Sequence, residues 1–353
     1  MPSAISWVLE EFGAPLVRVE RELGEPGGDE VMVEVEGCGM CHTDLGFANG
    51  SVKPKHALPL VLGHEVVGTV VGAGEGAVGM IGQRVIVPAV LPCGDCAFCR
   101  AGRSNACPRQ QMPGNDIDGG FSSHMIVRAA PLVAVPTLPE GFDPRALSVV
   151  ADAVSTAWQA TRRADLQAGD VAIVVGAGGV GGFVAQIATA LGAHVIACDI
   201  SDARLAGLAE LGVEATVNVA GRDERDVRGA VQSFIKPWGV PSFRHRIFEC
   251  SGSPQGQSLA WTLTGRASTV AVVGYTFEKV TLRLSNLMAF DATAVGTWGC
   301  PPSEYPAVVD LILDGRVVLD PFISYAPMAT VSEQLDAMAA HKLDKRVVLD
   351  PRM

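Results

Sequence analysis

Residues 171–199 leave this chain few choices of fold. Val171-Ala172-Ile173-Val174-Val175 is an unbroken apolar run, the pattern of a strand covered on both faces in a parallel sheet. Gly176-Ala177-Gly178-Gly179-Val180-Gly181 follows at once, then an apolar helical stretch from Phe183 to Leu191. A second apolar run, His194 to Cys198, ends on Asp199. Strand, G-x-G-x-x-G, helix, strand and acid in that order make a dinucleotide fingerprint in its expected context. The glycines permit a tight turn and close approach of a pyrophosphate, and the helix N-terminus offers free N–H groups to it. Asp199 is placed to accept hydrogen bonds from adenosine ribose hydroxyls. Its charge repels a 2′-phosphate, which favours NAD over NADP. More units of the same kind follow: Ile247-Phe248-Glu249 runs into Cys250-Ser251-Gly252, and Val270 to Val273 into Gly274-Tyr275. These endings suggest loops that face a ligand at the strand C-termini, with Cys250, Gly274 and Tyr275 as candidate contacts.

The N-terminal half carries a different chemistry. Cys93, Cys96, Cys99 and Cys107 fall in the spacing C-x2-C-x2-C-x7-C within a polar, Gly-containing loop. Four thiolates make the closed tetrahedral shell of a structural zinc, although a cubane iron–sulfur cluster also takes four cysteines. Ahead of that loop, Val31 to Glu36 alternates as a half-buried strand and leaves it through Gly37-Cys38-Gly39-Met40-Cys41-His42-Thr43-Asp44. Cys38 and Cys41 have no second half at zinc-finger distance, so Cys41 reads as a lone ligand and Cys38 as a packed thiol. Gly63-His64-Glu65 sits at the mouth of the next strand. Cys41, His64 and Glu65 are three metal donors in one Gly-rich region. Residues 80–91 read as an apolar strand pair, Pro131–Pro144 as a connector, and the Ala-rich stretch from Ala146 to Ala164 as helix.

A length of 353 residues is too great for one ordinary core, so two domains are expected. A net charge of −11 with no Lys/Arg-rich run argues against a nucleic-acid partner. No apolar stretch approaches the roughly 20 residues of a membrane span. Residues 1–12 lack the basic start and apolar core of a secretory signal. Cysteines in metal spacing then fit a reducing cytoplasm better than a disulfide framework.

With these motifs in this order, the chain resembles the zinc-containing medium-chain alcohol dehydrogenases over essentially its whole length. The resemblance implies an α/β protein: a GroES-like, β-rich catalytic domain (1–153, with a zinc lobe at 93–107), a Rossmann doubly wound parallel sheet (154–294), and a return to the catalytic domain (295–353). It implies an active site between the domains, two Zn2+ per chain and NAD. Cys41 and His64 would ligate the catalytic zinc, with Glu65 as a close alternate ligand, and Thr43 would touch the substrate oxygen. His42 and Arg346 would lie by the cofactor pyrophosphate, and Arg204 would reach the adenosine ribose.

Two positions depart from the family pattern. Asp152 stands where the family usually has a cysteine ligand. It reads either as a zinc ligand or as a solvated helix cap, since Ser155 and Thr156 follow. Gly46 stands where many members carry a relay histidine, so a proton leaving Thr43 needs another route. Segments such as Met112-Pro113-Gly114-Asn115-Asp116-Ile117, Ala151-Asp152-Ala153 and Trp298-Gly299-Cys300 resemble one subgroup, the 6-hydroxycyclohex-1-ene-1-carbonyl-CoA dehydrogenases of anaerobic benzoyl-CoA degradation. That resemblance implies a cyclic acyl-CoA substrate; separately, a homo-oligomer, dimer or tetramer, is expected. A non-CoA alcohol or polyol as substrate, and a catalytically silent NAD-binding homologue, are the rival readings.

Overall fold

The computed structural model describes residues 3–353. From its N-terminus the chain runs through β1 (Ser3–Leu9), β2 (Val17–Glu22), β3 (Glu30–Gly39), helix α1 (His42–Ala48), β4 (Leu60–Val61), β5 (Glu65–Ala73), β6 (Arg84–Val87), α2 (Ala97–Arg100), β7 (His124–Arg128) and β8 (Val133–Ala134). Helix α3 (Ala153–Arg163) then leads into β9 (Val171–Val175), α4 (Gly179–Ala190), β10 (His194–Asp199), α5 (Asp202–Glu210), β11 (Ala215–Asn218), α6 (Glu224–Trp238), β12 (His245–Glu249), α7 (Pro254–Thr262), β13 (Thr269–Val272), α8 (Ser285–Phe290) and β14 (Thr293–Gly296). The chain closes with α9 (Tyr305–Leu313), β15 (Ile323–Pro327), α10 (Val331–Ala339) and β16 (Arg346–Asp350). None of the described helices is long and apolar enough to cross a membrane.

Two compact units result. The first comprises Met1–Ser155, Gly299–Leu313 and Leu319–Met353, the second Thr156–Trp298 and Asp314–Val318. The return to the first unit thus falls at Gly299, and 314–318 stays with the second.

The first unit is built on a mixed sheet in the order β15-β16-β3-β5-β6-β8, with β7 also paired to β3. A smaller sheet, β2-β1-β4, accompanies it. β3 is the spine. Val31, Val33, Val35 and Cys38 are all fully buried, and its antiparallel ladder with β5 brings Gly39 opposite Glu65. That register sets the end of β3, where α1 begins, beside the start of β5, where His64 stands. The expected strand pair at 80–91 is the single strand β6, paired to β5 and β8. Pro88 and Pro92 bracket the stretch beyond it, and proline has no N–H to give a ladder. The expected helix from Ala146 is also divided. Residues Pro144–Ala151 are 3-10 helix, Asp152 breaks the run at φ −136°, and α3 starts afresh at Ala153.

In the second unit six strands lie in the order β11-β10-β9-β12-β13-β14, every pair parallel. In order of appearance this is 3-2-1-4-5-6, the doubly wound Rossmann arrangement. Its five-residue β9 is buried throughout, as an unbroken apolar run requires of a central parallel strand. The order reverses between β9 and β12, and the glycine-rich turn leaves the end of β9.

Candidate metal centres and dinucleotide loop

Two groups of metal-binding side chains assemble in the first unit. In the lobe after β6, Cys93, Cys96, Cys99 and Cys107 place their sulfurs close together: Cys93–Cys107 is 3.4 Å, Cys96–Cys99 3.5 Å, Cys96–Cys107 3.7 Å and Cys93–Cys99 3.9 Å. Zn–S bonds of about 2.3 Å in a tetrahedron give edges of roughly 3.8 Å, so the four sulfurs fit one ion. α2 supplies part of the frame, because Cys96 precedes its first residue and Cys99 lies within it. The Cys99 backbone N–H and the neighbouring thiols draw the Cys96 thiol down, while burial and the same neighbours push the Cys99 thiol up, so the four sulfurs share their protons as one group.

The second group is mixed. Cys41, His64, Glu65 and Asp152 each offer one donor atom, and these atoms all lie within 4.8 Å of one another. Cys41 Sγ is 3.6 Å from Asp152 Oδ2, which is 3.6 Å from His64 Nε2. Bonds of roughly 2.0–2.3 Å predict edges near 3.5 Å, so these three donors match a single zinc. The elements explain the convergence. Cys41 caps α1, His64 ends the segment that runs into β5, and Asp152 sits at the break between the 3-10 turn and α3. The Asp152 side chain is 19% exposed and its Oδ2 faces Cys41 and His64 rather than solvent. The backbone before it is held down: Ala151 C=O accepts from the buried Tyr305 hydroxyl at 2.6 Å and from the Ala89 N–H at 3.0 Å.

Glu65 is fully buried. Its Oε1 accepts from Arg346 Nη1 at 2.6 Å, while its Oε2 has no partner among the described residues. Burial, only partly opposed by Arg346, pushes its carboxyl up to about 7. An orphaned carboxylate oxygen beside Cys41, His64 and Asp152 fits the expectation of an alternate ligand. Arg346 is 8% exposed and also donates to the Met40 carbonyl, so two of its contacts lie inside the first unit. Thr43 Oγ1 stands 3.6 Å from Cys41 Sγ, and His42 lies exposed at the first position of α1.

Asp44 is a buried carboxylate at the mixed set that sequence reasoning alone does not single out. It is fully buried. Oδ1 lies 3.1 Å from His64 Nδ1 and accepts from the Gly63 N–H, and Oδ2 accepts from the Cys41 N–H at 2.9 Å. One carboxylate therefore orients two donor residues and leaves His64 Nε2 for the metal, the usual arrangement behind a metal-bound histidine. Burial opposes charge on the ring, but Asp44 and Asp152 hold the His64 pKa well above its ordinary value. The available signal was its place three residues after Cys41, where an acid reaches back to the N–H at a helix start.

In the second unit, Gly178 caps α4 without a side chain, so the first helical amides, Gly179 to Gly181, are left for a phosphate. Gly176 and Ala177 are buried in the turn before them. Asp199 closes β10 at 6% exposure. Its Oδ2 accepts from the Ala177 N–H at 2.6 Å and its Oδ1 from the Ser201 N–H at 2.9 Å. It thus anchors the glycine-rich turn, a second task beyond the ribose contact read from sequence. Arg204 Nη1 lies 3.9 Å from Asp199 Oδ1 and is 41% exposed. Cys250 is half-buried, Gly274 likewise, and Tyr275 is exposed.

Comparison with known proteins agrees with both halves. Residues 27–137 match the family described as alcohol dehydrogenase GroES-like domain, and residues 179–314 the zinc-binding dehydrogenase family. An alcohol dehydrogenase of Geobacillus stearothermophilus is 30% identical over 346 residues, covering 97% of either chain. L-galactonate-5-dehydrogenase of Escherichia coli K12 is 29% identical over 337 residues, 94% of this chain and 95% of its own. The crystal structure of galactitol-1-phosphate dehydrogenase from Escherichia coli superposes with a TM-score of 0.85 at 25% identity, over 98% of this chain and all of that one.

Proposed function

The chain belongs to the zinc-dependent medium-chain alcohol dehydrogenases, and from that premise we propose that it interconverts a secondary alcohol and a ketone with NAD at Cys41, His64 and Asp152. The observation that carries the reading is the convergence of those three side chains, with Thr43 beside them. The full proposal has two Zn2+ per chain, one held by Cys93, Cys96, Cys99 and Cys107, the other by the mixed set.

A zinc ion in the mixed set supplies Lewis-acid polarisation of the substrate oxygen. NAD, held by Gly176 to Gly181 and Asp199, supplies the hydride acceptor. The chain's own residues do the rest. Cys41, His64 and Asp152 would hold the metal, and a three-ligand protein set would keep a fourth position open for the alcohol oxygen. Asp44 keeps the His64 ring turned so that Nε2 faces inward. Thr43, beside Cys41, would take the proton from the alcohol, and with Gly46 in place of a histidine that proton would need a route other than an imidazole. Asp152 is a harder donor than a thiolate, so a metal held by it would be more electrophilic.

For the substrate we propose a ring hydroxyl on a cyclic acyl-CoA, 6-hydroxycyclohex-1-ene-1-carbonyl-CoA, oxidised to the 6-oxo compound. The support is the resemblance of Met112–Ile117, Ala151–Ala153 and Trp298–Cys300 to that subgroup. A sugar-acid or polyol substrate is the second reading, supported by the names of the two Escherichia coli relatives. Parallel NADH-formation assays with the hydroxy-enoyl-CoA, L-galactonate and galactitol 1-phosphate decide between them. A higher kcat/KM on either sugar derivative removes the acyl-CoA reading. No turnover on any alcohol, by a protein that carries both zincs, removes the enzyme reading. We further propose that the protein is a homo-oligomer, in keeping with the open sheet edge at β14.

A further inference from the structure

The acid that ends β12 has no part in the proposed reaction. Glu249 is 1% exposed. Its Oε1 accepts three hydrogen bonds: from the Ser251 N–H at 2.8 Å, the Ser251 hydroxyl at 2.6 Å and the Gly252 N–H at 3.2 Å. Its Oε2 is buried, without a partner among the described residues, and lies under the next loop, where a Cβ on Gly274 would come within 2.8 Å of it. The Glu249 carbonyl holds that loop by its backbone, accepting from the Val273 and Gly274 N–H groups, both at 2.9 Å. Ser251 is pressed in turn against the glycine-rich turn. A Cβ on Gly176, which has φ +92°, would meet Ser251 N and Cα at 2.6 Å. The loops that leave β9, β12 and β13 therefore meet over one carboxyl group. β9 and β12 are the strands between which the sheet order reverses, the place where a doubly wound sheet binds its ligand. Asp199 holds the other flank of the same turn through Ala177.

A buried carboxyl is costly unless its surroundings compensate. Here burial pushes the Glu249 carboxyl up, and the Ser251 hydroxyl together with the backbone N–H groups of Ser251, Gly252 and Gly274 works against that rise. Every one of its hydrogen-bond partners belongs to a loop at the ligand end of the sheet, and Ser251 itself is exposed.

We propose that Glu249 is a positioning residue for the nicotinamide cofactor: from beneath Ser251 it fixes loops 250–252 and 273–275 against Gly176, and it acts on the dinucleotide only through them. The proposal rests on the reading of this protein as an NAD enzyme. Its test is direct NADH binding, read by the change in nucleotide fluorescence on titration, with the metal-loaded wild type, Glu249→Leu, Glu249→Gln and Ser251→Ala. Leucine fills the buried space but accepts no hydrogen bond. The Ser251 hydroxyl keeps its contact with the Ser253 hydroxyl at 3.0 Å, so the fold should survive while the loops loosen. Glu249→Leu is expected to raise the Kd for NADH about tenfold, with KM for NAD rising in step and kcat changing less. Glu249→Gln keeps the acceptor toward Ser251 and should stay within about threefold of wild type, and Ser251→Ala should fall between. Should Glu249→Leu unfold, the Gln and Ala variants decide: a Kd equal to wild type in Ser251→Ala overturns the proposal. A folded Glu249→Leu that binds NADH like wild type overturns it as well. If the wild type itself fails to bind NADH, the cofactor reading falls first, and that arm is visible separately.

Discussion

A carboxylate standing where the family commonly places a thiolate changes what Asp152 can do. It can bind a metal or cap α3, and the two roles differ sharply in the cost of removal. A cap is worth roughly 1 kcal/mol and leaves turnover alone. A ligand to a Lewis-acid metal carries several kcal/mol of transition-state stabilisation, about 10²- to 10⁴-fold in rate. Oδ2 lies 3.6 Å from both Cys41 Sγ and His64 Nε2, which favours the ligand. Asp152→Ala is therefore expected to lose the mixed-site zinc and that much kcat/KM while the four-cysteine zinc stays. Asp152→Cys should keep both metals with an altered rate. An alanine variant with two zincs and full turnover contradicts the assignment. Asp44 works one step back. Its loss frees the His64 ring and the Cys41 N–H together, so Asp44→Ala should weaken zinc at the mixed site about 10- to 100-fold. A chelator-competition titration reads this, with the zinc expected in the four-cysteine lobe as the internal control. Equal loss at both sites would point to general unfolding instead.

Among elements, those whose sequence pattern has a single solution were legible. Val171 to Val175 could only be a strand covered on both faces, and the glycines after it fixed the turn and the start of α4. Elements decided by packing were not. The break at Asp152 is invisible in an Ala-rich run of good helix formers, because the reason for it is tertiary: Tyr305, more than 150 positions later, bonds the Ala151 carbonyl. Asp199 shows the same limit at a strand end. Its charge and position led to the proposed ribose role, but the bonds to Ala177 and Ser201 depend on how the turn folds back. Glu249 carries the same signal, an acid closing an apolar strand before small residues, yet nothing in the sequence gives it a role. One consequence is measurable. Asp199→Ala removes both the ribose acceptor and the anchor of the turn, so NAD affinity should fall about tenfold or more. The ratio of NADP to NAD affinity should rise, because the repulsive charge is gone. A wild type that uses both cofactors equally would contradict this. In the lobe, the spacing of Cys93 to Cys107 was legible because it needs nothing beyond a short loop. Cys96→Ser opens that closed shell, so one zinc of two should be lost and Tm should fall by about 5 °C or more. Unchanged melting with lost turnover would reverse the roles of the two sites.

On the scale of the whole chain, the β14 edge of the second unit's sheet is left to explain. β14 is its outermost strand, and three of its four residues are exposed. An open strand edge presents unpaired N–H and C=O groups to any similar edge, and monomeric proteins protect such edges. The segment around it does the opposite. α8 buries none of its residues, and Phe277, Leu284, Met288 and Trp298 are exposed at 57%, 71%, 79% and 52%. Exposed large apolar side chains on the segments that flank an edge strand in sequence are candidates for an interaction surface. A closed two-fold contact satisfies both features at once, because it pairs the same edge with itself and covers the same residues on each copy. The chain is therefore expected to run in solution at about 74 kDa or a multiple of it by light scattering, twice the 36.8 kDa of one copy or more. Leu284→Glu combined with Met288→Glu puts like charges across such a contact, where they cannot be paired and must be desolvated. Neither residue is buried within the chain, so the double variant should keep its fold and shift to about 37 kDa. A wild type already at that mass removes the interface. A charged variant that stays at the larger mass places the contact on another surface.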